Sequence, residues 1–375
     1  MPTIEVDLRT KVLPQTTNVY VGRPGKEYRL YHQFTEGHVI GPELPGLDLQ
    51  PGVPLAQQTL MDNRIRRSVR LRNWHGRGRP EDDVPPTALE AYNGHLAANA
   101  LGQYRSVVTG YFERVNAGDL VIIPPQSFSQ DAVVGEFIGG PTDFESFNIP
   151  RYVGHPLLVR RFRTVGRIPK PKLNARILDL ITKPNMLVLL ERQLRSEIYS
   201  AVYGNYTTAD SFNTRLEVAA REFTTDDDFN IKLFIKFVTQ NTIKTSINGE
   251  DEVFGIKVTA FEDAGDLAPD LQMNINSPGF IGISSKFLIP SVISVLFALA
   301  VLHGADVVHA AEAGKILIGN SSAPAGDACT AEIAEVALKQ IKLLGLDKWP
   351  EACEYARKVA EHAQMTTSTR VVQKP

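Results

Sequence analysis

The sequence predicts an α+β fold with two domains, and three observations carry the prediction. Apolar spacing changes along the chain: residues 55–115 suit helices, whereas residues 119–165 break into short alternating runs suited to a small β-barrel or curved sheet with flanking helices. A stretch rich in Asn, Thr and Asp, residues 206–229, reads as a linker between a first domain, 1–205, and a second α+β domain, 230–375, which holds one very apolar helix. Charge divides near the same place. The first 200 residues carry 25 Lys and Arg against 20 Asp and Glu, and the rest carry 15 against 22, so the net charge of −2 conceals a basic and an acidic half suited to different partners.

Taken in order, Thr17–Val21 and Tyr28–Phe34 alternate as strands, and the Gly- and Pro-rich residues Gly41–Pro54 form a long loop. A helix is expected over Leu55–Arg72 and one or two more over Thr87–Val115, with Thr87 as N-cap and Glu90 in the capping-box position. Asp119–Pro124, Ala132–Ile138 and Leu157–Val165 are three strands, Leu173–Ile181 is a short helix, and Met186–Ala201 is a further helix-compatible stretch. In the second domain Ile231–Thr239 and Val253–Ala260 read as strands, and Leu271–Ile283 alternates like another. Phe287–Ala305 is a run of 19 residues without formal charge. It suits either a buried helix of a compact domain or oligomer or a membrane helix, for which ~20 apolar residues suffice; Pro290, His303 and Gly304 shorten the fully apolar stretch. Two amphipathic helices, Thr330–Leu344 and Pro350–Gln364, close the fold.

Composition narrows the class. With 43% hydrophobic and 22% charged residues the chain has enough apolar material for ordinary cores, which excludes disorder as its main state. Cys329 and Cys353 are too few for a disulfide framework or a cysteine zinc site and fit a reducing compartment. The start, Met1-Pro2-Thr3-Ile4-Glu5-Val6-Asp7, lacks the basic and apolar regions of a secretory signal, so a cytoplasmic protein is expected, with the inner membrane through residues 287–305 as the alternative. No Walker loop, His-Glu-x-x-His or Gly-x-Ser-x-Gly motif occurs, and neither a cofactor nor a metal is expected.

Arginine clustering is the strongest chemical signal. Between residues 64 and 79, Arg64, Arg66, Arg67, Arg70, Arg72, Arg77 and Arg79 occur without any acidic residue. Guanidinium groups match phosphate oxygens bidentately and stay charged, so such a run suits a polyanion; a solvated helix face paired with Glu81-Asp82-Asp83 is the alternative. A second acid-free run, residues 151–176, holds Arg160, Arg161, Arg163, Arg167 and Lys170, and strand alternation puts Arg160 on the face opposite Arg161 and Arg163; pairing of some of them with Asp143, Glu145 or Glu136 is the alternative. Aromatic residues interleave with these runs, as base stacking requires.

The order of elements carries a family resemblance. Gly118-Asp119-Leu120-Val121-Ile122-Ile123-Pro124, then Val133-Val134-Gly135-Glu136-Phe137-Ile138-Gly139, then His155-Pro156-Leu157-Leu158-Val159-Arg160-Arg161-Phe162 and Ile168-Pro169, resembles the EVE/PUA-like N-terminal module of Mrr-type restriction and other phage-defence proteins over residues 15–205. The resemblance implies a pocket that receives a flipped, often modified, base, with a basic rim on the DNA backbone. On this chain it points to the loop 124–130, with Ser127, Phe128 and Gln130 reading a base edge and Trp74 and Tyr104 as stacking walls; a plain exposed hairpin loop is the alternative. It further implies a non-enzymatic sensor of double-stranded DNA within an intracellular defence protein; the second domain, which the resemblance does not cover, is expected to act as effector, form a homo-oligomer or join a second defence subunit. A degenerate PD-(D/E)xK-like nuclease is the runner-up, on Asp270 with Ser284-Ser285-Lys286. A membrane-disrupting effector is the third reading.

Overall fold

Ile4 and Val6 alternate with polar neighbours in β1 (Thr3–Asp7), and this strand pairs with the far end of the chain: parallel with residues 316–319 and antiparallel with residues 370–374. The computed structural model describes residues 3–50, 58–93, 98–183, 186–260, 262–274, 278–303, 306–323 and 326–374. After β2 (Lys11–Val12) the chain passes into a second compact unit. Thr16–Ile198 is one unit, and Met1–Gln15 together with Tyr199–Pro375 is the other, so the first is an insert in the second. This differs from the expected boundaries at 205 and 230. Residues 206–229 are not a linker, because most of them lie in sheet or cap a helix, as set out below.

The insert is built on a curled half-barrel sheet. Its elements are β3 (Val19–Gly22), α1 (Tyr31–Gly37), β4 (Val39–Ile40), α2 (Gln58–Gly76), α3 (Ala98–Thr109), β5 (Leu120–Ile123), β6 (Asp131–Phe137), β7 (Phe144–Phe147), β8 (Leu157–Pro169), α4 (Ala175–Thr182) and β9 (Leu187–Leu189), followed by α5 (Arg192–Tyr203). Strand order is β4-β8-β6-β5-β3-β9, with β7 on β8. The three central strands match the sequence reading, but Tyr28–Phe34 is not a strand: Leu30, Tyr31 and Phe34 fall on one helical face and α1 forms there. Thr87 and Glu90 do not form a cap; only a short 3-10 turn, Leu89–Tyr92, occurs at that point.

The motif residues behind the family resemblance have structural tasks. Asp119 is buried and accepts hydrogen bonds from the Asn18 amide at 2.7 Å and the Asn116 amide at 2.8 Å, which joins the start of β3 to the turn before β5. Gly135 sits at a bulge in the β6–β8 ladder, where a Cβ would lie 2.3 Å from the Phe162 ring. The core beneath holds Phe34, Val121, Ile123, Val133, Phe137 and Phe162, with Met61, Ile65 and Val69 of α2 at helical spacing.

The host unit resumes with β10 (Tyr206–Thr207) and β11 (Phe212–Val218), which lie inside the expected linker span. α6 (Thr225–Thr242) follows and replaces the expected strand 231–239. Thr224 and Asp227 cap it reciprocally, and Ile231, Phe234 and Phe237 are buried. α7 (Ile256–Thr259) likewise replaces the expected strand 253–260. β12 (Asp270–Asn274), β13 (Gly279–Ser285), α8 (Ile289–His303), α9 (Asp306–Glu312), β14 (Ile316–Gly319), α10 (Ala328–His362), β15 (Met365–Thr367) and β16 (Arg370–Lys374) complete the unit. Sheet order is β12-β13-β11-β10-β2 with β15 on β11, and a separate sheet is β14-β1-β16. α10 bends at Gly345 (φ 56°), so the two expected helices are its two arms.

The apolar run is shorter as a helix than expected. α8 has 15 residues, about 22 Å at 1.5 Å per residue, against the ~30 Å of a bilayer core. Val292, Ile293, Leu296 and Leu299 are buried among α6 and α10 residues. Among the described residues no helix is long and apolar enough to cross a membrane.

Candidate nucleic-acid interface

The sheet of the insert brings three loops to one end. β3 and β5 run parallel, and β6 and β8 each run antiparallel to their neighbour, so the ends of β3, β5 and β8 and the start of β6 coincide. Residues 23–30 follow β3, residues 124–130 follow β5, and residues 170–172 follow β8. Register sets Pro169 opposite Asp131 and the exposed Arg167 opposite Val133.

Lys170 ties these loops together. Its side chain is almost wholly buried, 6% exposed, and Nζ donates to the carbonyls of Pro125 at 2.5 Å and Gln126 at 3.3 Å. The same Nζ lies 5.5 Å from the centre of the Tyr28 ring, and the Arg23 guanidinium lies 4.7 Å from that ring. Burial lowers the Lys170 pKa from its ordinary value. Tyr31 Oη donates to the Asp131 carbonyl at 2.8 Å and fixes the other foot of the 124–130 loop.

Residues 126–130, Gln-Ser-Phe-Ser-Gln, are all exposed, and the Phe128 ring is 60% exposed. Ser127 Oγ accepts from the Ser129 amide at 3.2 Å and bonds its hydroxyl at 2.8 Å, which shapes the loop tip. The neighbouring 23–30 loop is held in an uncommon backbone conformation: Gly25, Glu27 and Tyr28 have φ of 76°, 57° and 60°. Glu43, 2% exposed, clamps it by accepting from the Lys26 amide at 2.8 Å, from Arg29 Nε at 2.5 Å and from Tyr152 Oη. Besides the buried Glu43, carboxylates at this end include Glu27, 3.9 Å from Lys26 Nζ, and Asp131.

The residues expected from sequence are distributed otherwise. Arg160 is 1% exposed and is not on a basic rim; it donates to the carbonyls of Tyr111 at 3.0 Å, Val115 at 2.6 Å and Gly139, and lies over Phe137. Burial pushes its pKa down to about 10, so it keeps its charge inside the fold. Lys170 is corrected in the same way, from a backbone contact to an internal brace. Arg161 pairs with Glu145 at 2.9 Å and Arg163 with Glu136 at 3.1 Å on the exposed surface.

The α2 arginines are largely engaged within the insert. Arg70 and Arg77 both pair with Asp83, Arg66 donates to Asn63 at 2.9 Å, Arg67 to the Gly46 carbonyl at 3.0 Å, and Arg72 to Tyr104 Oη at 2.7 Å. Of these, only Arg70 and Arg77 take the alternative of pairing with the downstream acidic residues, and only with Asp83. Among the described residues no ion pair is formed by Arg64 or Arg79. Trp74 Nε1 donates to the Pro80 carbonyl at 3.0 Å, and its ring meets His75 and His155 edge-on. Among the described residues no hydrogen bond or ring contact joins Trp74 or Tyr104 to Ser127, Phe128 or Gln130.

No family model matches the chain, and no curated protein or solved structure is similar to it. Its own geometry bears the functional reading. Sequence reasoning misses Arg23, Lys26 and Tyr28 because the alternation of Tyr28–Phe34 suggests a strand. Pro24-Gly25 directly after β3 is the turn signal that marks the loop. In the host unit Asp270 and Lys286 are exposed, and among the described residues no group of three or more His, Cys, Asp or Glu could hold a metal ion.

Proposed function

We propose that residues 16–198 bind double-stranded DNA through the loop cluster 23–30, 124–130 and 167–172. The observation that carries this reading is the exposed Phe128, on an acid-free loop tip whose foot is braced by Lys170, with Arg167 exposed on the adjoining strand. Cations there would meet phosphates while the aromatic ring meets bases, which is the division of labour in nucleic-acid recognition. Residues 16–198 also hold 23 Lys and Arg against 18 Asp and Glu, so the insert is the basic unit of the chain. The curled half-barrel is the small barrel or curved sheet that the sequence predicts, and the resemblance of the sequence to an EVE/PUA-like module supports a nucleic-acid role. On that resemblance the insert is the sensor of an intracellular phage-defence protein; the acidic host unit, which the resemblance does not cover, is left to assemble or act as effector.

Fluorescence anisotropy of the full chain on a labelled duplex tests the reading. Affinity is expected to fall linearly with salt on a log–log scale, and Lys26→Glu with Arg167→Glu to weaken binding at least about tenfold at an unchanged melting temperature. Salt-independent binding, or a double variant that binds like the parent, would remove it.

A further inference from the structure

We propose that Phe128 is a wedge that enters the base stack of duplex DNA, rather than a wall of a pocket that encloses a flipped base. The inference rests on the DNA-binding reading and specifies what the 124–130 loop does within it. Three observations carry it.

The ring projects instead of lining a recess. Phe128 is 60% exposed, and its neighbours Gln126, Ser127, Ser129 and Gln130 are exposed too, so the loop offers the ring no enclosing wall of its own. A base lifted from its helix is held between surfaces on both of its faces, whereas an apolar side chain standing clear of a surface can separate neighbouring base pairs in the stack. Trp74 and Tyr104, the walls such a pocket would need, are engaged with Pro80 and Arg72.

The loop also carries no charge between Pro124 and Gln130, so it can approach a polyanion without repulsion or a paired counter-charge. Its serine and glutamine side chains supply the neutral donors and acceptors found at groove edges.

Finally, the loop is organised before any ligand arrives. Pro124 and Pro125 stiffen its first leg, Lys170 holds the carbonyls of Pro125 and Gln126, and the Ser127–Ser129 pair closes the tip. A wedge must transmit force to the stack, and a loop already fixed loses little conformational freedom on insertion. Burying a lysine to brace an exposed aromatic is otherwise a costly arrangement.

The experiment uses the full chain with a set of duplexes carrying 2-aminopurine at successive positions, reading anisotropy for binding and 2-aminopurine fluorescence for unstacking. Saturating wild-type protein is expected to raise the fluorescence at one or two adjacent positions. Phe128→Ala should bind about tenfold more weakly, in line with the loss of one stacking contact, and saturate without the rise, and Phe128→Trp should restore it. Phe128 is exposed, so these variants should keep the parent's melting temperature. Wild-type binding without a rise at any position, or an undiminished rise with Phe128→Ala, overturns the wedge and leaves the DNA-binding reading standing. Failure of the wild type to bind any duplex overturns both.

Discussion

Lys170 Nζ lies 2.5 Å from the carbonyl oxygen of Pro125, at the foot of a loop whose tip is fully exposed while the lysine is not. A buried cation thus sets the position of an exposed ring. Lys170→Met should keep the aliphatic packing but leave two carbonyls short of a donor, for a loss of about 1–3 kcal/mol in urea denaturation. The pH dependence has a definite sign. Burial lowers the folded-state pKa of Lys170, so below that pKa the folded protein bears the full cost of the buried ammonium. The cost disappears as pH rises from the lowered value towards the ordinary 10.5, where the unfolded chain still binds the proton. The wild type's advantage over Lys170→Met should therefore widen as pH rises across that alkaline window and be flat below it.

Glu43→Gln removes the charge that Arg29 faces and weakens the acceptor for the Lys26 amide and Tyr152 Oη. The expected loss is about 3 kcal/mol, the low end for breaking a buried pair, because the Arg29 side chain remains a quarter exposed. The 23–30 loop, with its two non-glycine residues at positive φ, should then relax. Amide exchange across residues 26–29 that stays as slow as in the parent would refute this account of Glu43.

His75 and His155 share a hydrogen bond, with Nε2 of one 3.0 Å from Nδ1 of the other. Burial, then the charge of His155, Arg79 and Arg151, hold the His75 pKa below its ordinary 6.5. Unfolding then takes up a proton between the lowered pKa and 6.5, so stability is expected to fall as pH drops through that window. Melting temperatures at about pH 7.5 and about pH 5.5 should diverge in the wild type and converge in His75→Gln.

Arg66, Arg67 and Arg70 replaced together by Glu would be expected, on sequence alone, to weaken DNA binding. Their internal partners Asn63, Gly46 and Asp83 change that expectation. The triple variant should lose stability, with a lower melting temperature, whereas Lys26→Glu with Arg167→Glu should lose affinity and retain its melting temperature. Equal melting temperatures for the triple variant and the parent would return the α2 run to the interface.

The two halves of the chain differ in how far the sequence discloses them. β5, β6 and β8 are legible because short apolar runs rich in Val, Ile, Leu and Phe lie between Gly and Pro punctuation, and the bulge at Gly135 is compatible with that pattern. α6 is not legible from periodicity. Ile231, Leu233, Phe234, Ile235, Phe237 and Val238 are buried on several faces, and such a run suits strand and helix alike; only the Thr224 and Asp227 cap distinguishes them. Arginine clustering in turn misleads about the site. Charge along a sequence says nothing about partners such as Asp83 and Gly46, which the fold brings to the same arginines.

Residues 16–198 excised as one piece should fold, since the insert has its own core and its two ends meet: Arg195 Nη1 donates to the Thr17 carbonyl at 3.3 Å and the Leu190 amide to the Val19 carbonyl at 2.7 Å. Cooperative urea unfolding and DNA affinity within about threefold of the full chain are the expected results. A molten or insoluble fragment would show that the insert depends on its host.

The pairing of β1 gives synthesis an order. Thr3–Asp7 is made before the insert, yet its partners Ile316–Gly319 and Arg370–Lys374 are made after it. The insert, complete by Ile198, can therefore fold while that strand still waits unpaired, and a strand made before the insert is locked in place only after it.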